Sequence, residues 1–175
     1  MNARKEILQA IARAAIGQAL GGGAAADESA PWLAESGASF VTLTRAGRLR
    51  GCIGTLEAHQ RLLLDVKQNA CGAAFRDPRF PALSQRELAD TDIHVSVLTP
   101  LQPLSFMDEA EVLARLQPGV DGLVLEYGRH RATFLPQVWE QLPEPLHFLS
   151  QLKRKAGLPE DFWAEDIRLS RYEVH

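Results

Sequence analysis

An α+β fold with a mainly antiparallel sheet and flanking helices is predicted by three features of the sequence. Two pairs of strand-like stretches are each joined by a short turn signal, "AG" at 46–47 and a glycine at 128. Helical patterns interrupt these hairpins at irregular intervals, without the strand–helix–strand alternation of a parallel sheet. The chain also closes on a strand pattern, "DIRLSRYEV" at 166–174. Its 175 residues fit one domain, 1–175, and the 46% of hydrophobic residues suffice to bury a core.

Each element has its own warrant. Ile7, Leu8, Ile11, Ala15 and Ala19 recur at helical spacing and predict a helix over 3–20. Lysine and arginine before an apolar stretch resemble a signal peptide, but Glu6, Gln9 and Arg13 break that stretch at helical intervals. "GGGAAADESA" (21–30) offers little to bury and reads as a mobile loop. "SFVTLTR" (39–45) and "RLRGCIGTL" (48–56) form the first hairpin. Strict alternation in its return strand puts Leu49, Gly51, Ile53 and Thr55 on one face and Arg50, Cys52, Gly54 and Leu56 on the other. Residues 61–75 read as a helix, stopped before Pro78. "SQRE" (84–87) has the spacing of a capping box, with too little after it for more than a short turn. "DIHVSVLTP" (92–100) alternates cleanly as a strand. A helix over 108–116 is ended by "QPG", and 122–136 forms the second hairpin. The helix over 145–159 is stopped by Gly157 and Pro159. Its cations Lys153, Arg154 and Lys155 suit the negative end of the helix dipole. Trp139, Phe148, Trp163 and Tyr172 read as packing residues.

Composition narrows the function. A net charge of −3 argues against a nucleic-acid binder, and no apolar run approaches the ~20 residues needed to span a bilayer. Two cysteines, Cys52 and Cys71, are too few for a disulfide framework, which points to a cytoplasmic protein with reduced thiols. No metal-type spacing of cysteine and histidine occurs, and no cofactor is expected.

The stretch "RLRGCIGT" (48–55) concentrates the chemistry. Gly51 and Gly54 inside a strand mark either a tight packing crossing or a place where a ligand lies against the backbone. Between them stands Cys52, with Arg50 on its own predicted face to favour the thiolate. Cys71, among alanines on a helix, reads as a buried structural thiol. A cysteine nucleophile needs a base, and His94 is the best placed of five histidines, on the polar face of a strand with Asp92 and Ser96. The pair is geometrically possible if the "RGCIG" strand lies beside or across from that strand. His59, His130, His147 and His175 read as surface. In "RDPRF" (76–80), Asp77 pairs locally, Phe80 anchors the loop, and Arg79 is the candidate contact for an anion. "PGVDG" (118–122) lacks the spacing of a phosphate loop and reads as a tight turn.

Taken together, "LRGCIGT" (49–55), "AAFRDPRFPAL" (73–83), "DIHVSVLTP" (92–100), "GVDGLVLEYGRHRATFLPQVW" (119–139) and "FLSQLKRKAGLP" (148–159) resemble the AMME-chromosomal-region gene 1 family. Bacterial members of that family are called AmmeMemoRadiSam system protein A. The resemblance runs from about Phe40 to the C-terminus. It implies two unequal lobes with the "RGCIG" segment in or near a cleft between them, and an association with a Memo-like protein and a radical S-adenosylmethionine protein. It supplies no reaction. Family members often carry a second cysteine just before "KAGLP", where this chain has Lys153, Arg154 and Lys155. Two expectations follow. One is a site in which Arg50, Gly51, Gly54 and Arg79 hold a small anionic molecule or partner segment. The other is an enzyme with Cys52 as nucleophile and His94 as base.

Overall fold

The computed structural model describes residues 2–175. The chain divides into two units, Met1–Leu98 and Thr99–His175, each with its own sheet and core. The single sheet suggested by the strand patterns is therefore two sheets, both antiparallel.

In the first unit the strands β1 (Ala38–Arg45), β2 (Arg48–Gly54) and β3 (Asp92–Leu98) lie in the order β2-β1-β3. The β1–β2 turn places Ala46 at φ 49° and Gly47 at φ 74°, both in the left-handed region that a two-residue hairpin of right-handed twist demands. Helices α1 (Ala3–Ala19) and α2 (Leu62–Phe75) cover one face of this sheet. Ile11, Ile16, Val41, Leu43, Val66 and Ala70 are fully buried between them. Burial of each large aliphatic side chain is worth about 1.5–3 kcal/mol, so this layer dominates the stability of the unit. The small residues of α2 let it approach closely: a Cβ on Gly72 would stand 3.0 Å from Ile53.

The chain ties this helix down with polar groups as well. Buried Asp65 accepts from both the backbone N–H and the hydroxyl of Ser39 on β1, at 2.8 and 2.7 Å, and from Asn69 one turn on. The stretch 21–30 has no helix or strand, and Ala26 and Ala30 pack partly buried against the core. Residues 84–89 exceed the short turn expected of them. Helix α3 (Gln85–Ala89) forms because the capping box closes in both directions, Glu87 N–H to Ser84 Oγ and Ser84 N–H to Glu87 Oε2.

The second unit orders β4 (Gln102–Pro103), β7 (Arg168–Tyr172), β5 (Gly122–Tyr127) and β6 (His130–Phe134) as β4-β7-β5-β6. The sequence pattern did not mark β4, which is two residues long. Helices α4 (Glu109–Arg115) and α5 (Pro145–Lys155) supply Val112, Phe148, Leu149 and Leu152 to a core with Leu123, Leu125 and Leu169. Trp139 and Phe148 stack with ring centroids 3.7 Å apart. Lys153 stands in the last turn of α5 as expected, but the helix end is not its only partner: it is fully buried, 2.7 Å from Glu109 Oε1 and over the Trp163 ring. One expectation about a charged group is corrected here. His130 is not a surface residue: it is half-buried, with Nδ1 2.8 Å from the Ala156 carbonyl near the end of α5.

No helix among the described residues is long and apolar enough to cross a membrane.

Candidate site on the edge strand of the first sheet

Strict alternation fails in β2, and the reason is a β-bulge. Leu43 pairs with Gly51 but Thr44 pairs with Leu49, so Arg50 is an extra residue with no partner on β1. The slip moves Leu49 to the face that carries Thr42, Thr44 and Cys52, where it is 42% exposed, instead of beside Gly51 as expected. Directly across the sheet, Cys52 pairs with Thr42 and Thr42 with His94. These three residues form one row on one face. Thr42 Oγ1 lies 3.2 Å from Cys52 Sγ.

The row also separates the expected pair. Since β1 lies between β2 and β3, Cys52 and His94 are two strand spacings apart, about 10 Å. Direct proton transfer needs a separation near ~3 Å. The "RGCIG" strand therefore lies across β1 from His94 and not beside it. Thr42 occupies the intervening position.

Because β2 is an edge strand, its outward N–H groups need partners from elsewhere. Asp77, in the loop after α2, supplies one: Oδ2 accepts the Cys52 N–H at 3.0 Å. The same carboxylate holds Arg79 through three contacts, from the Arg79 N–H, Nε and Nη2, at 3.1, 3.0 and 2.7 Å. Asp77 is buried and the Arg79 side chain is 55% exposed, so the pair presents its cation to solvent. Hydrogen bonds from Arg79 above all, and then from the backbone of Cys52, hold the Asp77 carboxyl well below the usual range against the opposing effect of burial. Arg79 is raised in turn, chiefly by Asp77 and to a lesser degree by the charge of Cys52.

Arg50 is committed elsewhere. Its Nε donates to Glu87 Oε1 at 3.1 Å and its Nη2 to the Pro81 carbonyl at 2.8 Å, while Arg45 reaches Glu87 from β1. The Arg50 guanidinium, with the backbone N–H of Ser84, holds Glu87 down to about 2. Phe80 anchors the loop, with the Arg50 and Arg79 guanidinium carbons 5.8 and 5.5 Å from its ring centroid.

The two glycines are required by packing. A Cβ on Gly51 would stand 2.1 Å from the Ala73 carbonyl oxygen of α2, and one on Gly54 would stand 2.2 Å from the Phe40 ring. Phe40 is the β1 partner of Gly54, so its ring lies across the glycine on the Cys52 face. Thus Cys52, Thr42, Asp77 and Arg79 are brought together, Arg50 is turned to Glu87, and His94 stands at the far side of the same row. Neither cysteine is in a disulfide among the described residues. Cys71 is half-buried, its Sγ 3.7 Å from the Ala15 carbonyl, and burial pushes its thiol up despite Arg76 nearby.

Thr42 and Asp77 are the residues that sequence reasoning did not assign to this site. Thr42 needed the register to be seen. Asp77 had a legible signal, a carboxylate two residues before an arginine at a helix end, but its second partner is an edge-strand amide 25 residues away.

A model of the AMMECR1 family matches residues 9–175. A protein of Methanothermobacter thermautotrophicus is 42% identical over 139 residues, which are 77% of this chain and 71% of that protein. A Methanocaldococcus jannaschii protein is 38% identical over 128 residues, 72% of this chain and 64% of its own length. Among solved structures, that of an uncharacterized protein from Pyrococcus horikoshii superposes with a TM-score of 0.89 at 33% identity, covering 97% of this chain and 88% of that one.

Proposed function

Given that the chain belongs to the AMMECR1 family, we propose that the surface around Cys52 binds a small anionic group, with Arg79 as its electrostatic contact. One observation carries this reading. Arg79 is held by a buried carboxylate that also accepts the Cys52 N–H, so an exposed cation is tethered to the strand position that carries the thiol. Arginine presented in this way suits carboxylate or phosphate oxygens. The ligand is either a small molecule or an acidic segment of a partner, and the family resemblance favours a Memo-like protein and a radical S-adenosylmethionine protein as the partners. Cys52 and Cys71, neither of them in a disulfide, fit a reducing, cytoplasmic setting.

A second reading is favoured by a different contact. The Thr42 hydroxyl, 3.2 Å from the thiol, is placed to hydrogen-bond a Cys52 thiolate, as a nucleophile would need. His94 would then act only through intervening groups.

Paired alkylating reagents separate the two. Iodoacetate is anionic and iodoacetamide neutral, and the rate of each at Cys52 is read by mass spectrometry. Anion binding predicts a ratio of iodoacetate to iodoacetamide rates well above that of a free thiol, falling severalfold in Arg79→Ala and with added salt. A ratio equal to that of a free thiol, unchanged in the variant, overturns it. Fast reaction with both reagents, lost in Thr42→Val and retained in Arg79→Ala, selects the nucleophile.

A further inference from the structure

We propose that the second unit contains a binding site for a small zwitterion of the amino-acid class, distinct from the Cys52 surface. The site is a cavity of about 290 Å³ where β4 and the end of β7 meet the turn between α4 and β5. Its size stands at the lower end for ligand pockets, which restricts the occupant to a small molecule.

The charges that line this cavity form no ion pair among the described residues. Asp121 is 2% exposed, and it has no cation partner among the described residues. Its Oδ2 accepts the Gln117 N–H at 2.8 Å, and Oδ1 accepts nothing from the described residues. Arg171 lines the same cavity, half-buried and without an ion pair among the described residues. It sits opposite Leu123 on β5 and Gln102 on β4, and Asp121 lies two residues before Leu123. Elsewhere in the unit, buried charge is matched, as Lys153 is by Glu109. Asp121 thus leaves one carboxylate oxygen open at the cavity, where a cationic group can take the place of water.

The chemistry of the lining selects the class. An ammonium group satisfies Asp121 Oδ1, and the negative charge of Glu173, an exposed residue of the same lining, adds to the attraction. A carboxylate satisfies the guanidinium of Arg171, and the amides of Gln102 and Gln117 can donate to or accept from either end. A simple anion would be repelled by Asp121, and a simple amine would leave Arg171 unused. A molecule carrying both groups uses the whole lining.

The test reads the indole N–H of Trp139, which donates to the Asp121 carbonyl at 2.7 Å and so reports on this wall. The full chain, labelled with ¹⁵N, is titrated with each of the twenty standard L-amino acids, and then with the methyl ester and the deaminated acid of any that bind. The expected result is a saturable shift of the Trp139 signal with at least one amino acid. It should weaken about tenfold or more for the ester and the deaminated acid, and likewise in Asp121→Asn and Arg171→Gln. Arg168→Gln, on the same strand but outside the cavity, should bind as the parent does. No saturable shift with any amino acid overturns the proposal. So does equal affinity for the ester, or undiminished binding in a folded Arg171→Gln variant.

Discussion

Two carboxylates, one in each unit, are almost equally buried and sit in opposite circumstances. Asp77 in the first unit accepts from a backbone amide and holds a guanidinium with both oxygens, so its charge is fully answered within the fold. Asp121 in the second unit accepts one amide on one oxygen and meets no cation among the described residues. The first arrangement organises its surroundings: it seals an edge strand, fixes the loop after α2 and aims Arg79 outward. The second adds little order and carries an uncompensated charge. Where a fold buries a charge and answers it, the charge is part of the scaffold. Where it leaves the charge open at a cavity wall, the cause lies outside the scaffold.

The largest effect that tests this contrast is at Asp77. Replacement by Asn keeps the shape but removes the charge that binds Arg79 and the Cys52 amide. It should cost about 2–3 kcal/mol in urea unfolding, in line with losing charge-assisted hydrogen bonds at a buried site. The acid limb should change too. The Asp77 and Glu87 carboxyls both lie lower in the folded protein than in the unfolded chain, Glu87 moving from 4.5 to about 2. The stability they confer is complete above about pH 5 and is lost as pH falls towards about 2, because the unfolded chain takes up protons first. Asp77→Asn and Glu87→Gln should each flatten that limb. An acid limb identical to the parent's in both variants would show that neither pair contributes as described.

A smaller effect probes how closed the "RGCIG" segment is. Gly54→Ala drives a Cβ into the Phe40 ring, and overpacking of this kind costs about 1–3 kcal/mol. Phe40 is half-buried and its ring can tilt, so the loss should fall near the lower end. In a double-mutant cycle Phe40→Ala should remove most of it. Additive losses would mean that Gly54 is required by something other than this ring.

Most elements were legible because their signals are local. The hairpin turn at 46–47, the stop at Pro78 and the alternation of residues 92–98 depend on neighbours in the chain, and each stands where its pattern puts it. What the sequence hid is what depends on partners. The bulge at Arg50 exists only as two residues on β2 against one on β1, so no pattern within 48–54 reveals that Leu49 changes face. The order β2-β1-β3, which parts Cys52 from His94, is likewise a property of pairing. Lys153 looked like its neighbours Arg154 and Lys155, and only the packing of α5 against Glu109 and Trp163 distinguishes it. Asp121 lay inside a stretch correctly read as a turn, and that reading left no reason to ask what its side chain faces. Thr42 entered the Cys52 site by register alone.

The smallest expected effect is the sharpest for the comparison. Asp121→Asn makes the same change of one atom as Asp77→Asn, at a residue of similar burial. If burial alone decided the outcome, both variants would lose comparable stability. The contacts predict otherwise. The new side-chain amide keeps an oxygen for the Gln117 N–H, gives up a charge that no cation among the described residues answers, and turns its NH₂ to the cavity, where water can accept. The hydrogen bond weakens somewhat as its acceptor loses charge, while the desolvation cost of a carboxylate disappears. The two terms oppose each other at about 1 kcal/mol each, so the unfolding midpoint in urea should stay near the parent's or rise. That outcome, beside a clear loss in Asp77→Asn, would mark Asp121 as a residue kept for a ligand at the expense of stability. A loss as large as that of Asp77→Asn would instead make Asp121 a scaffold residue, and the contrast between the two carboxylates would fall.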